Sequence, residues 1–218
     1  MTHSHPDHIG GVRDVIRRFG AAGGCVVRKV PWHGRDMGLQ IAQVVDGDVL
    51  RVDARTTLHA LHTPGHAPDH VCWLLEEARC LFSGDNVLGA GTVIIPRDGG
   101  DMEQYLRSLA RLAELDADTI HPGHGPPIYG ARTTILEYVR HRTSRETQIE
   151  NAVRCASTAG VRVDELVRHL YSDKALSPEL FAAASETVHC HLVRLAAHGR
   201  VRSDLGRNVW VGGAAWVR

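Results

Sequence analysis

The first helix is predicted near the start of the chain, where apolar residues recur at helical spacing. They are Ile9, Val12, Val15, Ile16 and Phe19. Gly20 follows them and is a typical helix-ending residue. Two short β-branched runs come next, CVVRKV and IAQVV, and the second continues into DGDVLRV, which predicts a hairpin through Asp46-Gly47. We therefore expect a helix followed by strands.

Three further strands are predicted from the segments TLHALHTPG, HVCWLLE and CLFSGD. The first and third end where polar residues of ligand type begin, and chemistry at strand ends is typical of layered α/β folds. From Asp101 onward the apolar spacing is helical. The segment DTIHPGHGP then predicts a short strand that runs into a Gly/Pro loop, and residues 131–157 predict a long helix.

The pattern changes after Gly160. Helices are predicted near 162–171, 178–183 and 185–198, and RVRSDLGRNVWVG alternates like a two-stranded hairpin. Three helices followed by a hairpin suggest a winged-helix module. We therefore divide the chain into a layered α/β domain, residues 1–145, and a winged-helix module, residues 146–218.

Composition narrows the class of protein without naming a partner. A hydrophobic content of 43% in 218 residues suffices for a medium domain and a small one. Lys+Arg and Asp+Glu are both 25, so charge alone does not suggest nucleic-acid binding. Five cysteines without a CxxC pair argue against a thiolate zinc site and for a reducing compartment. With no apolar run of roughly 20 residues and no signal peptide, we expect a cytoplasmic protein that does not span a membrane.

Histidine changes the picture, because the chain contains 15 of them. His3, His5, Asp7 and His8 lie within one segment, THSHPDH, which is expected to be a loop. A loop can point four such side chains at one point. Neutral imidazoles and carboxylates are the ligands of hydrolytic zinc sites. Taken alone, the segment has a less favoured alternative, a solvated polar terminus or the remnant of an expression tag.

Three more residues of ligand type follow predicted strands. They are His66 in HTPGH, Asp85 in FSGD and His124 in HPGHGP. Any one of them alone would more commonly be a hydrogen-bonded structural residue. Four ligand-bearing segments in this order are hard to explain by chance, so the seven residues together predict a metal site.

The segment THSHPDHIGG resembles the HxHxDH signature of the metallo-β-lactamase superfamily. HTPGHAPDH, FSGD and HPGHGP are similar to the other metal-binding motifs of that family, and the match covers about residues 1–145. The resemblance implies an αββα sandwich and two divalent ions, with zinc as the expected metal. It implies that the first ion is held by His3, His5 and His66. It implies that the second is held by Asp7, His8 and His124, and that Asp85 bridges both.

The resemblance also implies a mechanism. Two such ions would share a water, lower its pKa towards roughly 7 and stabilise the oxyanion that develops on the substrate. Asp7, the expected catalytic residue, would orient the hydroxide. Nothing in this chemistry selects between ester, thioester, lactam and phosphodiester. His62 and His121 are expected to be structural neighbours, whereas His70 could accept the free N–H of a ligating imidazole or face the substrate.

A finer resemblance is carried by TPGHAPDH, SGDNVLGAGT, IHPGHGPPI and HRTSRETQI. These segments look like the lactamase-like endoribonucleases, a group that also resembles glyoxalase II, which implies single-stranded RNA as one candidate substrate. The residues themselves favour RNA less, because the helix SETVHCHLVRLAAH offers only Arg194 besides histidines. A helix that reads a duplex groove normally presents several basic and amide side chains, so we also expect that this module does not read duplex DNA. Arg140, Arg142 and Arg145 could hold an anionic substrate or could form a solvated basic face.

Two functions of different classes remain open. One is a hydrolase that acts on a small-molecule ester or thioester or on single-stranded RNA, with a homodimer as one option. The other is a non-enzymatic winged-helix binding protein whose hydrolase domain is vestigial. Intact ligands at all seven positions favour the hydrolase. The sequence does not identify substrate-binding residues.

The position of the HxHxDH-like segment carries a further expectation. Here it begins at Thr2, whereas in the family it follows several strands, and Met1 stands where a β-branched strand residue is expected. We therefore expect an N-terminally incomplete version of the enzyme. A form extended upstream should be more stable, bind metal more tightly and turn over faster.

Overall fold

The computed structural model describes residues 1–20, 24–156 and 159–213. The helices are α1 (Pro6–Ile9), α2 (Val12–Phe19), α3 (Met102–Ala113), α4 (Ala131–Cys155), α5 (Val163–Leu170) and α6 (Pro178–Ala197). The strands are β1 (Val27–Lys29), β2 (Ile41–Gln43), β3 (Val49–Asp53), β4 (Thr56–His62), β5 (Val71–Leu75), β6 (Cys80–Gly84), β7 (Thr119–Pro122), β8 (Ile128–Tyr129), β9 (Val201–Asp204) and β10 (Val209–Gly212). The strands and helices predicted between residues 56 and 155 are thereby confirmed.

A six-stranded sheet in the order β3-β4-β5-β6-β7-β8 forms the centre of the first domain. Neighbouring strands are antiparallel except β6 and β7, which are parallel. Strands β4, β6 and β7 therefore run in the same direction, and their carboxyl ends lie at one edge of the sheet. The segments that carry His66, Asp85 and His124 follow these three strands. The topology thus brings together ligand-type residues that are far apart in the sequence.

The hydrophobic core of this domain lies between the sheet and helices α3 and α4. Leu81 and Ile120 from adjacent strands pack with Tyr105 and Leu109 of α3, and Ile135 contributes from α4. All five side chains are almost completely buried. Burial of each stabilises the fold by about 1.5–3 kcal/mol, which explains the apolar spacing along α3.

The predicted hairpin through Asp46-Gly47 is wrong. A turn is present, but β2 pairs in parallel with β1, whereas β3 pairs with β4. The turn is held by β4 and by α3: the Gly47 amide donates to the Ala60 carbonyl, and the Asp46 carboxylate accepts from Arg111. The turn residues were identified correctly, but the partner strand was set by these distant contacts.

Helix α2 is present as predicted, but its apolar residues do not enter the core. No residue of α2 is buried, and the side chains of Val15 and Phe19 are exposed. Within the described chain, this leaves an uncovered apolar surface beside β1. The short helix α1 behaves differently, because its Ile9 is buried.

Helices α4, α5 and α6 and the hairpin β9–β10 enclose a second core. Ile149 and Val153 of α4 pack with Leu166, Leu192 and Trp210. The two helices predicted at 178–183 and 185–198 are one continuous helix, α6. The junction reads FAAAS, with no Gly or Pro, and alanine is the strongest helix former. The helix begins at Ser177, whose hydroxyl accepts from the Leu180 amide.

Helix α4 belongs to both cores. Its first half packs on the central sheet through Ile135 and Val139, and its second half enters the other core from Ile149 onward. The proposed division at 145/146 falls between these two stretches, inside an unbroken helix. In the described residues, no helix combines the length and apolar character that crossing a membrane requires.

Candidate metal centre

The seven predicted ligand residues converge at the carboxyl edge of the central sheet. Their ligand atoms form three overlapping groups, and within each group all atoms lie within 4.8 Å of one another. The groups are His3 with His5 and His66, His3 with His8 and Asp85, and Asp7 with His8 and His124. The residues come from four segments of the chain, so the fold produces the cluster.

In the first group His3 and His66 are buried, and His5 is half-buried. His5 Nδ1 lies 3.0 Å from His3 Nε2 and 2.9 Å from His66 Nε2. His66 donates its Nδ1 proton to the Ile94 carbonyl at 2.8 Å. The Nε2 of His66 therefore carries a lone pair that faces the other two imidazoles, the tautomer that a metal-ligating histidine requires.

The second group is open to solvent. His124 Nε2 lies 3.2 Å from His8 Nε2 and 3.1 Å from Asp7 Oδ2. The side chains of Asp7 and His124 are 58% and 48% exposed. A substrate can therefore approach from this side. The prediction of a simple loop is corrected here, because Pro6 starts the helical turn α1 that carries both Asp7 and His8.

Asp85 lies between the two groups. Its Oδ1 is 3.2 Å from His8 Nε2, and its Oδ2 is 3.7 Å from His66 Nε2 and 3.6 Å from His124 Nε2. One carboxylate therefore faces ligands of both groups, which is the arrangement that the family resemblance implies for a bridging residue.

The three histidines of the first group favour the neutral form. Burial lowers the pKa of His3 and of His66, and partial burial also lowers that of His5 against the opposing charges of Asp7, Asp85 and Asp69. His8 differs: burial alone would lower its pKa, but its interaction with Asp85 and the charges of Asp85 and Asp7 outweigh burial and raise it. Neutral imidazoles offer the lone pairs that a cation needs.

Burial would raise the pKa of Asp85, but the interaction with the His8 ring and the charge of His8 outweigh burial and lower the pKa. Asp85 is therefore ionised at neutral pH. The site consequently contains an ionised carboxylate among imidazoles, which is the donor set that divalent zinc prefers.

Two structural features test whether this cluster fits metal ions. Asp85 Oδ1 is buried and, among the described residues, has no well-directed hydrogen bond. Its contact with His8 Nε2 at 3.2 Å is poorly directed, and a buried carboxylate oxygen with no better partner is costly unless it coordinates a cation. Gly123 provides room beside it, since a Cβ there would lie 2.5 Å from Asp85 Oδ1 and 2.9 Å from His8 Cε1. The residues present therefore fit bound cations.

His70 holds Asp85 in place through the backbone. Its Nε2 accepts from the Asp85 amide at 3.0 Å, so its Nδ1 carries the proton and donates to the Thr63 hydroxyl at 3.0 Å. His70 is buried and does not face the substrate side. The expectation that it accepts the N–H of a ligating imidazole is therefore wrong. As predicted, His62 is structural, with its ring bonded to the Pro68 carbonyl.

The sequence reasoning missed a buried ion network behind the first segment. Lys29 lies 2.6 Å from Asp36 Oδ1 and 2.9 Å from Asp69 Oδ2, and Ser4 donates to Asp69 at 2.6 Å. Ser4 stands between His3 and His5. Period-two alternation in β1 could have revealed Lys29, because it falls on the same buried face as Val27.

Sequence comparisons identify both parts of the chain. A profile of the metallo-beta-lactamase superfamily matches residues 1–124, and a profile of the beta-lactamase associated winged helix domain matches residues 163–210. The lactamase-like protein aptB of Emericella nidulans is 35% identical over 193 residues, which is 83% of this chain and 59% of that protein.

Two further proteins extend the comparison. An atrochrysone carboxyl ACP thioesterase of Aspergillus chevalieri is 35% identical over 190 residues, which is 82% of this chain and 58% of that protein. The crystal structure of a metallo-beta-lactamase family protein from Thermus thermophilus matches with a TM-score of 0.68 and 28% identity, over 80% of this chain and 55% of that one. The chain therefore spans less than two thirds of these proteins.

These relatives confirm the predicted fold class and the winged-helix module. They do not support the finer prediction of an endoribonuclease or glyoxalase II group, because the two curated relatives are named as a lactamase-like protein and a thioesterase. Nor do they support RNA or a homodimer as a partner. The ordered ligand segments, the sheet edge that gathers them and the matched profiles show that the chain belongs to the metallo-β-lactamase superfamily.

Proposed function

We propose that this chain is a metal-dependent hydrolase that cleaves thioesters. The observation that carries the proposal is the convergence of seven N and O ligands at one sheet edge, with Asp85 facing both groups. Two divalent ions, with zinc as the expected metal, would be held by these seven residues. Zinc suits a site of imidazoles and carboxylates without thiolates.

Bound divalent ions supply Lewis acidity, which generates a nucleophile from water at neutral pH and polarises a carbonyl. The chain's own residues orient the reactants. The exposed Asp7 carboxylate, 3.1 Å from His124 Nε2, can accept a hydrogen bond from an attacking water and so orient it. His70 fixes the Asp85 backbone, and Ile94 fixes the His66 ring, so neither ligand must reorganise during the reaction.

The thioester class is supported by the relative named as an acyl carrier protein thioesterase, of which this chain matches 58%. The open side of the centre, at Asp7 and His124, can admit such a substrate. Hydrolysis adds one water across the C–S bond and yields a carboxylate and a thiol. The free thiol allows the reaction to be followed directly.

The test is thiol release from acetyl coenzyme A by zinc-loaded protein, with a single-stranded RNA and a β-lactam assayed in parallel. We expect thiol release that disappears after chelation and returns with added zinc. His66→Ala should lose the activity, whereas His62→Ala, whose ring bonds to the Pro68 carbonyl, should keep it. RNA cleavage without thiol release would overturn the thioester class. A zinc-replete chain that is inert towards all three would favour the vestigial binding protein.

A further inference from the structure

A cavity of about 380 Å³ lies between the first domain and the winged-helix module. One wall is the chain segment 90–94, and the opposite walls come from α4, α6 and the segment between α5 and α6. Its surface combines apolar side chains, such as Leu176 and Val188, with a group of basic ones. None of the seven predicted metal ligands lines this cavity, so the proposed reaction at the metal centre does not explain it.

The cavity is adjacent to the metal centre through one short segment. The Gly89 amide donates to the His124 carbonyl at 2.9 Å, and the Ile94 carbonyl accepts from the His66 ring at 2.8 Å. The residues between these anchor points form the cavity wall. A molecule in the cavity therefore lies just across this segment from ligands of both metal groups.

One buried arginine lines the cavity and has no carboxylate partner in the described part of the chain. Arg142 is 3% exposed, donates from Nη2 to the Val93 carbonyl and stacks its guanidinium on Tyr105 at 5.4 Å. Its Nε is buried and has no hydrogen-bond partner among the described residues. Arginine is always charged, and a buried guanidinium without a negatively charged partner is costly. A bound anion would relieve this cost.

Two further cations face one aromatic ring of the same cavity. The guanidinium of Arg145 lies 4.4 Å from the Tyr171 ring centre, and Lys174 Nζ lies 6.0 Å from it. Of the described residues that line the cavity, none is Asp or Glu. Positive charges that share a site without a carboxylate repel one another, so this site favours an anion.

The same three cations act on His141, which also lines the cavity. Burial lowers the pKa of His141, and the charges of Arg142, Arg145 and Lys174 lower it further. His191 also lines the cavity and is fully buried. Its Nδ1 lies 3.5 Å from Glu146 Oε2, behind the lining, and its Nε2 has no hydrogen-bond partner among the described residues.

We propose that this cavity binds an oxyanion carried on an apolar chain, and that Arg142, Arg145 and Lys174 neutralise it. The proposal rests on the proposed function, because the anion is then part of the thioester substrate. The oxyanion has two sources in such a substrate: the phosphate on the pantetheine side of the sulfur or a carboxylate on the acyl side. The cavity thus selects substrates by charge, while the metal centre acts on the thioester.

The test compares three thioesters that share the scissile bond. Acetyl N-acetylcysteamine is neutral, acetyl 4′-phosphopantetheine carries the phosphate, and glutaryl N-acetylcysteamine carries the carboxylate. We expect Arg145→Gln and Lys174→Gln each to lower the kcat/KM ratio of one anionic thioester over the neutral one by about tenfold, the size of one charge-assisted hydrogen bond. The anion that responds identifies the source. Arg140→Gln, on the same helix but outside the cavity lining, should leave the ratio unchanged.

Equal losses of kcat/KM for all three thioesters would overturn the proposal. So would an unchanged kcat/KM ratio of anionic over neutral thioester in the double variant, which combines Arg145→Gln with Lys174→Gln. Should the protein hydrolyse no thioester at all, calorimetry with 4′-phosphopantetheine and glutarate still tests the cavity separately from the activity. Binding of either anion that is lost in the double variant supports the cavity site. Absence of binding of both to the unaltered protein refutes it.

Discussion

Lys29 Nζ lies 2.9 Å from Asp69 Oδ2, and neither side chain has any solvent exposure. Asp69 in turn accepts from Ser4 at 2.6 Å, and Ser4 separates His3 from His5. The pair therefore connects β1 and the segment before β5 to the backbone that carries two expected ligands. Its position suggests that the ion pair determines the shape of the metal site from behind.

Replacing Lys29 by Met should therefore lower both stability and metal affinity. The change leaves the Asp69 carboxylate buried and unpaired, which costs about 3–5 kcal/mol. Urea denaturation and zinc titration measure the two effects. Ser4→Ala should lower zinc affinity at a stability cost of only about 1 kcal/mol, because it removes a hydroxyl that is shared between Asp69 and Asp36 and leaves the ion pair. Unfolding of Lys29→Met at the same urea concentration as the unaltered protein would contradict this account.

Asp85 offers a test of the bridging role. We expect Asp85→Asn, which keeps the side-chain shape but removes the charge, to reduce bound zinc from about two ions to about one. Thiol release should fall by at least about 100-fold, the effect of removing one preorganised charged group from a hydrolytic site. Metal analysis, far-UV circular dichroism and the thiol assay measure these changes.

The helix content of Asp85→Asn should not change, because the Asp85 amide still donates to His70. Asp116→Asn serves as the matched control. Asp116 is an exposed aspartate paired with Arg79 on the surface, and its loss should change neither metal content nor rate. Near-normal turnover by Asp85→Asn would exclude the two-ion mechanism.

Stability should depend on pH through Glu146. Burial would raise the pKa of this carboxyl, but the His191 ring at 3.5 Å, the hydrogen bond from Arg194 and the Arg194 charge outweigh burial and lower the pKa below 4.5. Because the folded pKa is below the unfolded one, the contribution is complete above about pH 4.5 and is lost as pH falls through the folded value. The free energy of unfolding of Glu146→Gln should therefore be about 3 kcal/mol lower than that of the unaltered protein at pH 7. This gap in free energy should narrow in acid.

Urea denaturation of the two proteins between pH 3 and pH 7 measures that gap. Glu114→Gln is the matched control, since Glu114 is exposed and lies 3.9 Å from its partner Arg132. Its gap should be near zero at every pH. A Glu146→Gln gap that stays constant across the whole range would show that the carboxylate charge is not the stabilising feature.

Local signals predicted the elements whose partners are close in sequence. Strands β4 to β6 and helix α3 follow from residue alternation and spacing, and the order of ligand segments predicted the seven residues that the sheet edge gathers. The errors arose where contacts between residues far apart in the sequence determine strand pairing or burial. The partner of β3 depends on Asp46 contacting Arg111, and the network of Lys29 depends on Asp69, forty residues further along the chain. Neither contact has a short-range signature.

Because α4 is unbroken, it limits which sequence changes are compatible with the arrangement of the first domain and the winged-helix module. It is a helix of 25 residues, about 37 Å long, and each residue turns its direction by about 100°. Deleting one residue between Val139 and Ile149 would rotate the winged-helix module about the helix axis and separate Lys174 from the segment 90–94. Changes of length in this interval are therefore incompatible with the cavity, whereas point substitutions on the exposed side of the helix are free to accumulate. The number of residues in α4 therefore sets the orientation of the winged-helix module relative to the first domain.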